Sequence, residues 1–341
     1  MKDYYRILGL DPLAEPEVVA AAYKALLGKY QDSREAGTEG RLNDIIEAYG
    51  VLGDSVKRAG YDRECQSALE ALSSPGGGRP SGYPRKNTFG YDEHENSLDN
   101  AVMILIPPGE FLMGSPVGEG YGEEHPQRNI YLDPFYIYKY EVTNGQFARF
   151  VNETGYKAKG DWEKYAVQGR ESHPVINVTW TDAQAYCQWA GGDLPTEAQW
   201  EKAARGIDGR RFPWGDHWDR NKCNNVDTDS SEYRALRAHL YLRRGTTPVG
   251  AFSEGASPYG CMDMAGNVWE WCGDWYDQQY YQKSPVRNPP GPLQGDARVY
   301  RGGAWNNDAT TGFRCAYRTG SPPGETNFLF GFRPMLLLSG E

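Results

Sequence analysis

Cysteine is sparse in this chain, six residues in 341, and no two of them form a Cys-x-x-Cys pair. That pattern excludes a zinc knuckle and does not describe a disulfide scaffold. Net positive charge is lacking too. The formal balance at pH 7 is -10, which leaves no electrostatic footprint for phosphate backbones and excludes nucleic acid as a partner. No apolar run reaches membrane-spanning length, and the opening MKDYYRILGLDP puts charge and two tyrosines where a secretory leader needs an apolar core. The expectation is a cytoplasmic protein with no membrane partner. What the chain does hold is 41 glycines, 22 prolines and ten tryptophans. Long regular helices therefore do not dominate it, and its many loops carry aromatic residues able to pack them.

Two helical periods open the sequence. Val19, Ala22, Tyr23, Leu26, Leu27 and Tyr30 share one face, as do Leu42, Ile45, Ile46, Tyr49 and Leu52. They predict an antiparallel pair joined by the polar QDSREAGTEG, with short helices at Tyr4–Leu8 and from Ser55, in a module spanning residues 1–70. The segments DYYRILGL, AAYKALLGKY and IIEAYGVLGDSVKRAGYD resemble a J-domain. In that family a His-Pro-Asp tripeptide after the second helix stimulates a chaperone ATPase; the matching positions here are Gln31, Asp32 and Ser33. The module is expected to keep the J fold, to be silent as a co-chaperone, and to act as a docking or self-association element. A Gly, Pro and Ser cluster, SSPGGGRPSGYPRKNTFG, then predicts a flexible linker over 71–95.

In the remaining 96–341, a Thr stands three residues before a Gln at Thr143/Gln146, Thr181/Gln184 and Thr196/Gln199, with Gly155, Gly191 and Gly206 downstream. Hydroxyl and amide can satisfy the free amides at a helix start, and glycine accepts the left-handed stop, so three short helices are predicted. NIYLDPFYIYKYEV, VINVTW and RVYRGG read as strands. The fold class is α+β.

Longer motifs carry a resemblance. PPGEFLMGS, PVINVTWTDAQAYCQWAGGDLPTEAQWEKAARG, RFPWGD, DMAGNVWEW, RVYRGGAWNND and GFRP are similar to the formylglycine-generating, sulfatase-modifying fold, a variant of the C-type lectin fold. In catalytic members, Arg-Gly-Gly is followed by a Ser and then by two cysteines whose thiolates hold Cu(I). Here the Ser position is Ala304, the first cysteine position is Asn307, and the second falls near Gly312 or Thr311. Leu329 replaces an expected Asn. Amide and hydroxyl oxygens are poor ligands for a soft ion, so no copper is expected and no residue is assigned as catalytic. A second chemistry of the superfamily uses iron held by three histidines; His94, His125, His173, His217 and His239 lack its spacing. An oxidoreductase with a reassigned site remains the alternative.

The resemblance also implies a structural Ca2+ site at Asp263, Gly266, Val268 and Glu270, an oxygen set of the kind calcium prefers. A second family site would include Asn225 and Val226. With the cysteines gone, the C-terminal loops are expected to form an exposed surface that binds a protein ligand. Its contact residues would be Trp305, Asn306, Asn307, Asp308, Thr310, Thr311, Phe313, Tyr317, Thr319, Gly320, Ser321, Asn327, Phe328 and Leu329. RGGAWNN, AYR and GFR further resemble the frame of variable proteins of diversity-generating retroelements, whose C-terminal codons are rewritten at adenines. Thr319, Gly320, Ser321, Pro322, Phe328 and Leu329 stand at positions such templates fill with Asn, and each is reachable from AAC by adenine changes alone.

Overall fold

The computed structural model describes residues 4–8, 16–31, 38–55, 57–62, 85–226, 245–307 and 310–338. They fall in two compact units divided at residues 75 and 76.

The N-terminal unit has helices α1 (Tyr4–Ile7), α2 (Pro16–Gln31) and α3 (Thr38–Leu52), and residues 57–62 are again helical. Leu8, Val19, Ile45, Ala48, Leu52 and Tyr61 are buried together, so the two predicted apolar faces do meet. Tyr23 and Tyr49 stack across them with centroids 4.0 Å apart. The positions matching the His-Pro-Asp tripeptide lie outside the described residues, apart from the backbone of Gln31.

The second unit holds eleven strands among its described residues. They are β1 (Arg85–Lys86), β2 (Asp92–Glu95), β3 (Val102–Ile106), β4 (Gly109–Met113), β5 (Arg128–Leu132), β6 (Phe135–Tyr138), β7 (Trp269–Trp275), β8 (Arg298–Arg301), β9 (Thr319–Ser321), β10 (Phe330–Gly331) and β11 (Met335–Leu337). One sheet runs β1-β2-β3-β6-β11, a second runs β10-β7-β8-β9, and β4 pairs with β5. All pairings are antiparallel except β10 with β7. Helices α4 (Asn144–Thr154), α5 (Trp180–Trp189), α6 (Glu197–Arg205) and α7 (Tyr280–Lys283) complete the α+β architecture.

Three expectations are corrected. Residues 85–95, assigned to the linker, form β1 and β2. Their sequence is too polar to read as strands; the ladder is reinforced instead by Arg85–Glu93 and Lys86–Asp92 ion pairs. The caps of α4 and α6 are as predicted, with Thr143 and Thr196 each accepting from the Gln amide three residues on. The cap of α5 is not Thr181. Thr179 takes that place, because Asp182 accepts from the Thr179 amide at 2.9 Å and from the amides of Lys159 and Gly160 as well. Finally, VINVTW is not a strand; Val175 and Val178 are buried as a packed loop leading into α5.

Candidate functional site

The C-terminal segment starts from β8. Arg301 ends that strand fully buried, and its guanidinium donates to the carbonyls of Cys315, Ala316 and Tyr317 at 2.8, 3.0 and 2.7 Å, and to Glu201 of α6. The next two glycines turn left-handed. At Gly303 (φ +79°) a Cβ would stand 2.6 Å from the Phe313 ring, so the close approach requires glycine. Arg314 pairs with buried Glu124, and Arg318 with Glu197 through two contacts of 2.7 Å. Burial alone would drive these carboxylates up, yet the arginines hold both Glu124 and Glu197 below the ordinary value. Residues 301–307 and 310–318 are thus pinned to the body of the domain by buried charge.

A Cβ built on Gly312 would lie 2.8 Å from Asn307 Nδ2 and 3.3 Å from the Trp269 ring, which places positions 307 and 312 side by side. Asn307 braces the turn: its Oδ1 accepts from the Ala304 amide at 3.0 Å, and its carbonyl accepts from Val226. Where the resemblance implies two thiolates, at 307 and near 312 or 311, this chain has an amide already engaged and, beside it at Gly312, no side chain at all. The five cysteines among the described residues are all buried. Burial pushes the Cys315 thiol up to about 12, far from the thiolate a metal needs.

The expected contact residues divide. Trp305 is 6% exposed and Phe313 1%, and neither offers an open face. Phe313 stacks on Trp218 at 5.0 Å within a cluster with Phe212, Cys223 and Ala265. They are packing residues, a correction to the expected exposed surface; polar neighbours in sequence hid an apolar environment supplied by residues about a hundred positions earlier. Asn306, Asn307, Thr311, Tyr317, Asn327, Phe328 and Leu329 are half-buried and Thr310 is exposed. Asp308 lies outside the described residues. Thr319, Gly320 and Ser321 form β9, the edge of the four-stranded sheet, with Gly320 against the Tyr276 ring. Phe328 comes within 6.3 Å of Trp305, joining the two ends of the segment.

Beneath these loops lies a buried acidic centre. Asp263 adopts φ +56° and Asn267 φ +59°, flanking Gly266 at +85° in a tight turn. Asp263 Oδ2 accepts from the Gly250 amide at 2.6 Å, while its Oδ1 has no partner. Glu141, which the sequence reading missed, is equally buried with an orphaned Oε1, its Oε2 accepting from Asn267 Nδ2 at 3.0 Å. Burial and the neighbouring Asp263 and Glu270 charges raise the Glu141 carboxyl well above its usual range; burial lifts Asp263 to about 6. Glu270 differs. Arg333 donates to both its oxygens at 2.6 and 2.7 Å and Trp200 donates to one at 2.9 Å. Among the described residues no group of three His, Cys, Asp or Glu side chains converges as a metal site. Two orphaned carboxylate oxygens beside a turn of carbonyls nonetheless fit a hard cation completed by backbone oxygens. Glu141, Asn267 and Arg333 were not legible because each acts on partners far away in the chain, 126 residues for Glu141 and Asn267. At the second family site, Asn225 donates to the carbonyls of Arg220 and Cys223, and the residues that follow Val226 are outside the described set.

Comparison with known proteins identifies the family and the fold. Residues 88–336 match the sulfatase-modifying factor enzyme 1-like domain, and residues 3–62 match the DnaJ domain. The formylglycine-generating enzyme of Streptomyces coelicolor is 35% identical over 286 residues, covering 67% of this chain and 87% of that protein. Among solved structures, PvdO from Pseudomonas aeruginosa superposes with a TM-score of 0.60 at 24% identity, over 75% of this chain and all of that one. Treponema denticola variable protein 1 does so with a TM-score of 0.56 at 22% identity, over 70% and 95%. These two likenesses are of the fold. The chain belongs to the sulfatase-modifying factor enzyme 1-like family and carries a DnaJ domain ahead of that domain.

Proposed function

We propose that the family domain of this chain binds a ligand, a protein, on its C-terminal loops and does not transform it. The observation that carries this reading is the Asn307–Gly312 pair, adjacent in space and without a soft donor. Contact falls to the half-buried side chains Asn306, Tyr317, Asn327, Phe328 and Leu329, with β9 beside them; Trp305 supports them from below. A sharper form is that the segment is diversified. In its support, none of Thr319, Gly320, Ser321, Pro322, Phe328 and Leu329 is buried, so most of these positions tolerate exchange; Gly320, against Tyr276, and Leu329, packed on the core, are the exceptions. An Asn-rich near-copy of codons 301–333 beside a reverse-transcriptase gene would establish diversification, and its absence would leave a fixed loop.

Peptide-display selection tests the binding reading: sequences enriched on the wild type should be lost with Phe328→Ala or Asn306→Ala while the melting temperature hardly moves. Equal loss of binding and stability would instead make both residues core. The similarity to a named formylglycine-generating enzyme favours one other reading, a reassigned oxidoreductase. Copper or iron retained on purification together with oxygen uptake would select it.

Calcium would be held by the free oxygens of Asp263 and Glu141 with the carbonyls of Gly266 and Val268, and with Glu270 behind, braced by Arg333. When bound, the ion would neutralise the acidic centre and pin the turn against Trp269 and Trp271. Calorimetric titration of chelated protein should show calcium binding that Asp263→Asn weakens; no heat at all would remove the site.

A further inference from the structure

Arg298, on β8, is not explained by anything above. Its guanidinium lies between two indoles, 3.5 Å from the Trp275 ring centre and 3.9 Å from that of Trp180. Trp275 and Arg298 are register partners across β7 and β8, and Arg298 and Ser321 are register partners across β8 and β9. The three side chains therefore share one face of the sheet. Trp180 closes the opposite side from α5, fixed by its indole bond to the Cys272 carbonyl at 2.8 Å and by its amide bond to Pro323. All four side chains are half-buried, so the stack reaches solvent beside the segment assigned to ligand binding.

The hydrogen-bond inventory of Arg298 is one-sided. Nη1 donates to the Gly273 carbonyl at 2.5 Å. Nε is buried and has no partner, and Nη2 makes no hydrogen bond to any described residue. Nε and Nη2 are the two donors on a single edge of the guanidinium, the fork that matches a carboxylate. A buried donor left unpaired costs about 1–3 kcal/mol, so an arginine held this way gains when an acceptor arrives. Two carboxylates act on Arg298 through space, Asp274 and Asp193, and both have other partners. Asp274 Oδ2 accepts from the Glu197 amide at 2.8 Å and Asp193 Oδ1 from the Leu194 amide at 2.7 Å.

We propose that the Trp180–Arg298–Trp275 stack is a subsite for a carboxylate of the protein ligand, received next to Ser321 at Nη2 of Arg298, on the edge it shares with the unpaired Nε. The proposal rests on the reading that the C-terminal segment binds a ligand, and it adds the chemistry of that ligand: an acidic side chain or a chain terminus. The indoles exclude water from both faces of the pair, which strengthens the contact and fixes the plane of the incoming group.

The test uses the full chain with 15N-labelled arginine, following the side-chain Nε–H signals during titration with acetate. Arg298 is assigned by the signal missing in Arg298→Lys. Its resonance should shift saturably, whereas that of the exposed, Glu153-paired Arg149 should not. Ser321→Asp puts a resident carboxylate on the cross-strand position, and the acetate response should weaken by about tenfold or more while the fold is kept. Two peptides separate the sources, one amidated with an internal Glu and one without acidic side chains but with a free C-terminus; saturation by either supports the subsite. A linear shift shared with Arg149, or a saturable one indifferent to Ser321→Asp, overturns it. So does a response to acetate but to neither peptide. Display selections that depend on Phe328 yet give no Arg298 response and no acidic enrichment would remove this subsite and leave the broader binding reading standing.

Discussion

Residues 301–307 with 310–318, and residues 319–329 that follow them, are held by opposite means. The first stretch is anchored by Arg301, Arg314 and Arg318, each paired with a buried glutamate from elsewhere in the domain. The second hangs on a three-residue edge strand and on backbone bonds such as those from Asn177 to Asn327 and from Trp269 to Leu329. Buried ion pairs resist change because removing one partner strands the other charge. Backbone bonds accept nearly any side chain. The contrast shows how one segment can keep its shape at one end while leaving side-chain identity open at the other.

Breaking the first stretch should have the largest effect. Arg301→Met strips buried Glu201 of one of its two arginines, leaving Arg205, and strands three carbonyls in the interior, and we expect a loss of about 3–5 kcal/mol in chemical denaturation. Phe313→Ala should cost about 3 kcal/mol through the cavity it opens beside Trp218. Phe328→Ala, on the other side of the divide, should stay below about 1 kcal/mol in the same assay. Equal costs would erase the distinction between the two stretches.

Gly312→Ala comes next. Its Cβ would press on the Asn307 amide and Trp269, which predicts about 1–2 kcal/mol of overpacking. Gly324→Ala meets open space and should change stability by less than about 0.5 kcal/mol. The smallest effect is a slope. Burial, reinforced by the Glu197 charge, lifts Asp274 to about 7 from its ordinary 3.8. The folded state therefore holds that proton more tightly than the unfolded chain. The resulting stabilisation is complete below about pH 4 and is lost as pH rises through about 7. Melting temperatures measured across that window should fall with pH in the wild type and fall less in Asp274→Asn.

Local signals were legible where a local contact decides the structure. The Thr143/Gln146 and Thr196/Gln199 boxes each close within one helical turn, and the apolar faces of α2 and α3 are periodic. The Thr181/Gln184 pattern failed because Asp182 gave Thr179 a stronger cap two residues earlier. What the sequence concealed are contacts across great chain separation. Phe313 looks like a loop aromatic until Trp218 and Phe212 surround it, and Glu141 looks like a strand-end carboxylate until Asn267 and Asp263 approach. The displaced cysteine positions were legible from the Arg-Gly-Gly frame, but their adjacency needed the fold.

Oxygen consumption by the purified chain, supplied anaerobically with one equivalent of Cu(I) and then with oxygen and a cysteine-containing peptide, decides whether the Asn307–Gly312 pocket is without copper chemistry. Uptake no greater than that of peptide and copper alone is expected. Protein-dependent uptake, matched by loss of peptide thiol and abolished by Asn307→Asp, would contradict it.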